Sequence, residues 1–194
     1  MDGGTVQQLA DLPQTWTFEQ LQLLLPQDAD WRRYEIVDGA LVVSPSASFD
    51  HEVVSALLRA QLQGQVPAGH LVLGPMTVQV GLSYRIPDLL VVPTELFGQG
   101  RSLVAPSEVL LAVEIVSPSS RTTDRITKPA QYAAAGIPAY WRVETEPDVT
   151  ITAYVLQPGA GVYTEVGEWV PGQSLTLAEP FPITFAIDAL VPPT

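Results

Sequence analysis

The feature that most constrains the fold of this 194-residue chain is a carboxylate inside an apolar run. Residues 109–116 read Val-Leu-Leu-Ala-Val-Glu-Ile-Val, so Glu114 is surrounded in sequence by aliphatic side chains. A strand this apolar is typical of the centre of a sheet that is covered on both faces. A buried charge is costly without a partner, so Glu114 requires a cation or a hydrogen-bond donor nearby. A salt bridge to an arginine would satisfy that requirement as well as a functional site would.

Turn and cap signals organise the first third of the chain. Asp38-Gly39 between residues 34–37 and 40–43 predicts a β-hairpin with a type I′ turn. Thr17 and Gln20 form a capping-box pattern that predicts a helix start, and Pro26 ends that helix. A second helix is predicted from a cap at Ser46 or Ser48 to about Gln65. The other predicted elements are strands at 71–73, 76–80, 89–92 and 109–116, a helix at 129–135, a β-meander at 140–143, 149–156 and 162–170, and a last strand at 183–187.

These elements predict an α/β (α+β) fold with a mixed central sheet flanked by helices and a C-terminal β-meander. We expect residues 1–14 to form a flexible arm and residues 15–194 to form one domain, with a core at about 15–155 and a β-rich extension at 156–194. No apolar run reaches the roughly 18 residues needed to cross a bilayer. The first residues have no signal-peptide pattern, so a cytoplasmic location is expected.

Lysine occurs once in the chain, at Lys128, among nine basic residues. Lysine can shift its pKa and act on a water or a developing anion, which arginine cannot do. A lone lysine is more often a solvated surface residue. Pro129 fits the first turn of a helix, so Lys128 is expected at that helix's N-terminus.

Two further carboxylates lie beside predicted strands. Asp88 follows Pro87 and begins an apolar run, and Glu35 lies inside the predicted hairpin. Taken singly, Asp88 is a plausible turn or cap residue and Glu35 a plausible solvent-facing one. Taken together with Glu114, they suggest converging carboxylates of the kind that hold Mg²⁺. The chain has no cysteine, so a metal must bind oxygen or histidine, which favours Mg²⁺ or Mn²⁺.

The order of these motifs resembles the Uma2 family of predicted endonucleases, a branch of the PD-(D/E)xK nuclease fold. The resemblance spans roughly residues 15–155 and rests on the following segments: Tyr34-Glu35-Ile36-Val37-Asp38-Gly39, the helix near His51, Arg85-Ile86-Pro87-Asp88-Leu89, Val113-Glu114-Ile115-Val116-Ser117-Pro118-Ser119, Asp124 with Lys128 and Tyr132, and Gly136-Ile137-Pro138-Ala139-Tyr140-Trp141.

The resemblance implies a restriction-endonuclease-like core in which Asp88 and Glu114 bind the metal and Glu35 adds a ligand or support. The usual motif lysine would stand at Val116, and the resemblance implies that Lys128 replaces it from the following helix. His51, Asp124 and Tyr132 are implied supporting residues, although a surface position for His51 is an equal alternative. The candidate nucleic-acid contacts are Arg85, Arg121 and Arg125.

The predicted function is metal-dependent hydrolysis of DNA phosphodiesters, with a homodimer through an exposed strand edge as a possible assembly. A net charge of −12 disfavours tight duplex binding. The acidic segment 144–148 is distant in sequence from Arg121 and Arg125. Two alternatives therefore stay open, an inert nuclease-fold binding or assembly module and a hydrolase of small phosphodiesters. With two histidines and no Gly-x-x-x-x-Gly-Lys, neither a serine triad nor a phosphate loop is indicated.

Overall fold

A computed structural model of the protein describes residues 14–24, 30–117 and 120–192. Two predictions lie outside those residues: the flexible arm at 1–14, except for residue 14, and the end of the first helix at Pro26. Within them the α-helices are α1 Phe18–Leu24, α2 Phe49–Gln63 and α3 Lys128–Ala134. The strands are β1 Tyr34–Val37, β2 Ala40–Val43, β3 His70–Leu73, β4 Thr77–Val80, β5 Ser83–Arg85, β6 Leu89–Pro93, β7 Leu103–Val104, β8 Leu111–Ile115, β9 Ala139–Glu144, β10 Thr150–Leu156, β11 Tyr163–Trp169, β12 Ser174–Leu177 and β13 Ile183–Ala186.

The two predicted helix starts are confirmed at the level of hydrogen bonds. The backbone N–H of Thr17 donates to Gln20 Oε1, and the N–H of Gln20 donates to Thr17 Oγ1, which is the predicted capping box. Ser48 is the cap of α2, because its hydroxyl accepts the N–H of His51. Both caps satisfy backbone donors that an isolated helix end would leave unpaired.

The central sheet has six strands in the order β11-β10-β9-β8-β6-β3. Strands β8 and β9 are parallel and the other neighbouring pairs are antiparallel, so the sheet is mixed, as predicted. Every residue of β8 is buried, including Glu114. The apolar run at 109–116 therefore predicted its central position correctly.

A second sheet of five strands has the order β2-β1-β5-β4-β7. Its β1–β2 hairpin has the predicted two-residue turn, with positive φ at both Asp38 and Gly39. The short strands β5 and β7 were not predicted. Strand β5 matters most, because it pairs with β1 and leads directly into the segment that carries Asp88.

Two apolar clusters cover the faces of the central sheet. One contains side chains of α2, the β12–β13 hairpin and the 3-10 turn Ile187–Leu190, packed against Leu111, Trp141 and Ile151. The other contains Tyr132 of α3 and Val78 of β4, packed against Ala112 and Tyr140. The predicted meander is formed by β9, β10 and β11, whose neighbouring strands are antiparallel. No described helix has the length and hydropathy of a membrane span.

Candidate active site

The strand register brings Asp88 and Glu114 together. Leu89 pairs with Val113 across β6 and β8, so the next pair outward is Asp88 opposite Glu114. Directly opposed residues of antiparallel strands have their Cβ atoms about 5 Å apart on one face. The Asp88 carboxylate also accepts the backbone N–H of Ile115 through Oδ2 at 2.7 Å. Two acidic side chains that are 26 residues apart therefore become neighbours at the end of the sheet.

Both oxygens of Glu114 have donors from the crossover between β8 and β9. The Lys128 ammonium lies 2.8 Å from Oε2, and the Tyr132 hydroxyl donates to Oε1 at 2.5 Å. Lys128 Nζ also lies 3.1 Å from Asp124 Oδ1 and 3.7 Å from Glu35 Oε1. The buried glutamate is thus paired with the only lysine of the chain and not with an arginine.

Lys128 begins α3 as predicted, but it is not the start of the helical winding. A helical turn at residues 121–122 and a π-helical turn, Thr123–Thr127, lead directly into α3. Pro129 therefore lies well inside the winding, where its ring would clash with the carbonyl four residues earlier in a regular α-helix. The wide π turn just before the proline accommodates it, and π turns frequently occur at functional sites.

Glu35 supports the site through a second buried ion pair. Its Oε2 lies 3.1 Å from Arg85 Nη1, and its Oε1 accepts the N–H of Ile86 at 2.9 Å. Arg85 is 2% exposed and also donates through Nε to Gln131 of α3. The prediction that Arg85 contacts nucleic acid is therefore wrong, because its guanidinium is buried between the second sheet and α3. Its place in the three-residue strand β5 was not evident from the sequence.

His51 lies at the edge of the carboxylate group. It is in the first turn of α2, and its Nε2 is 3.3 Å from Asp88 Oδ2. Burial alone would lower the pKa of His51, but the hydrogen bond and charge of Asp88 raise the pKa on balance. The alternative that His51 lies on the helix surface is wrong, because its side chain is 13% exposed.

Negative charge exceeds positive charge within this group. Four carboxylates, those of Glu35, Asp88, Glu114 and Asp124, share the region with two permanent cations, Lys128 and Arg85. Burial raises the pKa of Glu114, and the Lys128 ammonium opposes that rise. Burial also raises the pKa of Asp124. Burial by itself would lower the pKa of Lys128, but Glu114 and the neighbouring carboxylates raise it well above its usual value, so Lys128 remains charged.

These residues line one cavity of about 490 Å³. Glu35, Asp88, Glu114, Asp124 and Lys128 are all on its wall. The remaining wall is largely polar and comprises Asp30, Arg32, Arg33, Ser44, Ser46, Ser48, His51, Glu52, Ser55, Ser117 and Ser120, with a few apolar residues between them. The predicted residues thus line one cavity, which is large enough for a small ligand or for a segment of a polymeric ligand.

Comparisons with known proteins identify the family and a similar fold. The family model Uma2, described as "Putative restriction endonuclease", matches residues 17–190. The chain belongs to the Uma2 family. A crystal structure described as a "putative nuclease belonging to DUF820" from Anabaena variabilis is similar in fold, with a TM-score of 0.67. The two sequences are 15% identical, and the alignment covers 92% of this chain and 97% of the other. No curated protein matches the sequence.

Two arginines of this Uma2 chain were expected at the substrate but are engaged elsewhere. Arg125 Nε lies 2.9 Å from Glu144 Oε1, and Arg121 Nη2 lies 2.9 Å from Glu146 Oε2. Neither residue lines the cavity. The acidic segment 144–148 is distant in sequence but folds back onto these arginines, so the separation assumed from the sequence is corrected.

Arg32 and Arg33 line the cavity of this Uma2 protein and were missed from the sequence. They immediately precede Tyr34-Glu35, the motif that was recognised, so their proximity to Glu35 was the available signal. The Val116 position, where the usual motif lysine would stand, is 4% exposed and belongs to the core. A lysine there would be buried in an apolar environment, whereas Lys128 reaches the acids from the helix.

The site's donor chemistry suits a hard divalent cation. All candidate ligands are carboxylate oxygens, and the two permanent cations leave two of the four acids uncompensated. Asp88 uses Oδ2 for the Ile115 N–H and has a side chain 20% exposed, so Oδ1 is available. Within the described residues no three acidic or histidine groups are already arranged as a metal site. A metal held by two carboxylates with water and a phosphate completing its shell is common for Mg²⁺.

Proposed function

We propose that this protein is a metal-dependent endonuclease that hydrolyses phosphodiester bonds of DNA. The observation that supports this most directly is that Asp88, Glu114 and Lys128 line the wall of one cavity, with Lys128 on Glu114 and Asp88 on the N–H of the adjacent Ile115. Membership of a family described as restriction endonucleases is consistent with it. In this proposal the other residues of the site, Glu35, Asp124 and Tyr132, support these three.

In this proposal Asp88 and Glu114 hold Mg²⁺ or Mn²⁺. The metal would supply Lewis-acid polarisation of the phosphoryl oxygen and a lower pKa for a water nucleophile. Glu114, whose Oε2 lies beside Lys128, and Asp88, which is held by the Ile115 N–H, would be the two protein ligands. Glu35 supports the site, because its two oxygens bind Arg85 and the Ile86 N–H.

Lys128 acts as a positive charge. Glu114 and the other surrounding carboxylates raise its pKa, which favours the charged ammonium. A preorganised cation of this kind stabilises negative charge that develops on the phosphoryl group. Asp124 and Tyr132 hold the geometry, the first beside Nζ and the second on Glu114.

A cleavage assay tests the proposal. Supercoiled plasmid and single-stranded DNA are incubated with Mg²⁺ or Mn²⁺ and with wild type, Asp88→Ala, Lys128→Ala or Glu95→Ala. Glu95 is an exposed carboxylate away from the cavity and serves as the matched control. We expect rates on the order of 10² to 10³ lower for Asp88→Ala and Lys128→Ala and an unchanged rate for Glu95→Ala. Equal cleavage by all four proteins would contradict the assignment.

A measurement of metal binding distinguishes the enzyme from an inert binding or assembly module. The inert module is the alternative that the net charge of −12 favours. Isothermal titration with Mn²⁺ is expected to give one site in wild type and none in Asp88→Ala, with Glu95→Ala like wild type. Wild type without a site would favour the inert module. Cleavage of bis(p-nitrophenyl) phosphate but of no polynucleotide would instead favour a hydrolase of small phosphodiesters.

We further propose a cytoplasmic homodimer formed through the edge of the central sheet. Strand β11 is the last strand on one side, and Thr164, Glu165, Val166 and Glu168 on it are exposed. An unpaired edge strand presents N–H and C=O groups to a second chain. Light scattering after size exclusion is expected to give twice the monomer mass, and Val166→Pro is expected to give a monomer.

A further inference from the structure

Most of the basic side chains in the described residues form ion pairs with carboxylates. Ion pairs within 4 Å engage seven of the nine basic side chains, namely Arg32, Arg85, Arg101, Arg121, Arg125, Lys128 and Arg142. Arg33 and Arg59 have no such carboxylate partner among the described residues. Of these two, Arg33 lines the cavity and Arg59 does not.

The Arg33 side chain is held in place by one backbone unit. Its Nε donates to the carbonyl of Ser44 at 2.8 Å, and its own carbonyl accepts the N–H of Ser44 at 2.8 Å. This exchange extends the β1–β2 hairpin by one residue pair, so the guanidinium is fixed relative to Glu35 two residues away. Neither Nη atom donates to a described residue. The nearby carboxylate of Asp30 is engaged by Arg32, whose hydrogen bond is the main cause of the lowered pKa of Asp30.

We propose that Arg33 binds a backbone phosphate of the substrate strand and so positions that strand in the cavity, a role that rests on the proposed nuclease function. A partly buried, preoriented guanidinium with two free Nη groups matches a phosphate in a bidentate arrangement. The polar wall around it supplies serine hydroxyls as additional donors.

The charge balance of the cavity explains why such a residue is needed. Lys128 is already balanced by Glu114 and Asp124, and the remaining carboxylates repel an approaching polyanion. With six arginines paired to acids, Arg33 is the cavity residue whose positive charge is not already matched within the described residues. Binding through one such contact gives a shallow dependence of affinity on salt, about 0.7 in log–log slope for each phosphate contact on a single strand.

The test measures binding apart from cleavage. A fluorescein-labelled oligothymidylate of eight nucleotides is titrated by fluorescence anisotropy, in EDTA and again in Ca²⁺, against wild type, Arg33→Ala, Arg33→Lys and Arg59→Ala. We expect Arg33→Ala to bind on the order of tenfold more weakly, as for loss of a charge-assisted hydrogen bond. Its log–log salt slope should fall by about 0.7. Arg33→Lys should lie between the two, and Arg59→Ala should match wild type.

The outcomes are separable from those of the nuclease proposal. Wild-type affinity for Arg33→Ala, an equal loss for Arg59→Ala, or no measurable binding by wild type would each overturn the role of Arg33. Thermal melts of all variants verify that the hairpin is intact, and Arg33→Lys tests the role if Arg33→Ala fails to fold. If Arg33→Ala loses affinity while no protein cleaves DNA, the phosphate contact stands and the nuclease function fails.

Discussion

At the scale of single residues, Lys128 balances more buried negative charge than any other group of the site. It contacts Glu114 and Asp124 directly, and its side chain is 9% exposed. Removing one partner of a buried ion pair leaves an uncompensated charge, which is far more costly than losing an exposed pair.

We therefore expect Lys128→Met to lower the free energy of unfolding by about 3–5 kcal/mol. The double variant Lys128→Met/Glu114→Gln should recover part of that loss, because it removes the stranded carboxylate. Arg121→Ala breaks an exposed pair with Glu146 and should cost less than about 1 kcal/mol. Urea unfolding at pH 7 measures all three, and a Lys128→Met loss as small as that of Arg121→Ala would show that the buried pair is not stabilised as described.

The sequence allowed the Asp88, Glu114 and Lys128 group to be recognised, since each stands in a motif with a fixed order along the chain. It did not allow the roles of the arginines to be assigned. Arg85 is buried in β5 and Arg33 lines the cavity just before β1, and only the tertiary pairing of β1 with β5 distinguishes their roles.

At the scale of elements, the β1–β2 hairpin carries both Glu35 and the Arg33–Ser44 pair, so its turn determines part of the site. Gly39 has φ of 84°, and a Cβ added there would lie 2.5 Å from Thr15 Cγ2. Gly69 has φ of 82°, with no atom within 4 Å of an added Cβ. The two glycines therefore have nearly the same positive φ and differ in the steric contact that an added Cβ would make.

We expect Gly69→Ala to cost about 1 kcal/mol, the penalty for a left-handed alanine. Gly39→Ala should cost more, on the order of 2–3 kcal/mol, because the clash is added to the same strain. Chemical denaturation of both variants provides the comparison. Equal losses would mean that Thr15 moves aside freely and that the turn is not constrained by packing.

Elements with long periodic patterns were predicted well, and the shortest strands were not. Strand β8 and helix α2 have enough residues for their periods to be visible in sequence. Strand β5 has three residues, which pair locally with β4 from Val80↔Ser83 to Val78↔Arg85 and meet β1 only at Tyr84↔Ile36. Three residues are too few for an alternating pattern to be visible in the sequence.

At the scale of the whole molecule, the tyrosines of the second apolar cluster make the fold sensitive to alkali. Tyr140 stacks with Tyr154 and Tyr163, and burial raises the pKa of Tyr163. A raised pKa in the folded state favours the protonated phenol, so this contribution is complete below about pH 10 and is lost as the pH rises above it.

We expect the unfolding free energy to fall more steeply above pH 10 in wild type than in Tyr163→Phe, with a difference of up to about 1.4 kcal/mol for each pH unit. At pH 8 the unfolding free energy of Tyr163→Phe should be only about 1 kcal/mol below that of wild type, because the variant lacks the hydrogen bond from the Tyr163 hydroxyl to the Ile137 carbonyl. Urea unfolding at pH 8, 10 and 11 gives the slopes. Parallel curves for the two proteins would contradict a role for Tyr163 ionisation.

The same scale explains an error in the sequence-based view of charge. Separation in sequence suggested that the acidic segment 144–148 lies away from Arg121 and Arg125, but Glu144 and Glu146 fold onto Arg125 and Arg121. Composition counts charges without saying which of them neutralise each other, so the surface available to a polyanion is known only from the three-dimensional pairing.

Because β8 and β9 run parallel, the chain crosses over between them, and Lys128 and Tyr132 lie on that crossover. Glu114 is therefore 14 residues from Lys128, whereas Glu35 and Arg85 are 50 residues apart. Closing a short loop costs less entropy than closing a long one. Forming the Glu114–Lys128 pair therefore costs less chain entropy than forming the Glu35–Arg85 pair, so the crossover supplies the cation of the buried acid at the lower cost in order.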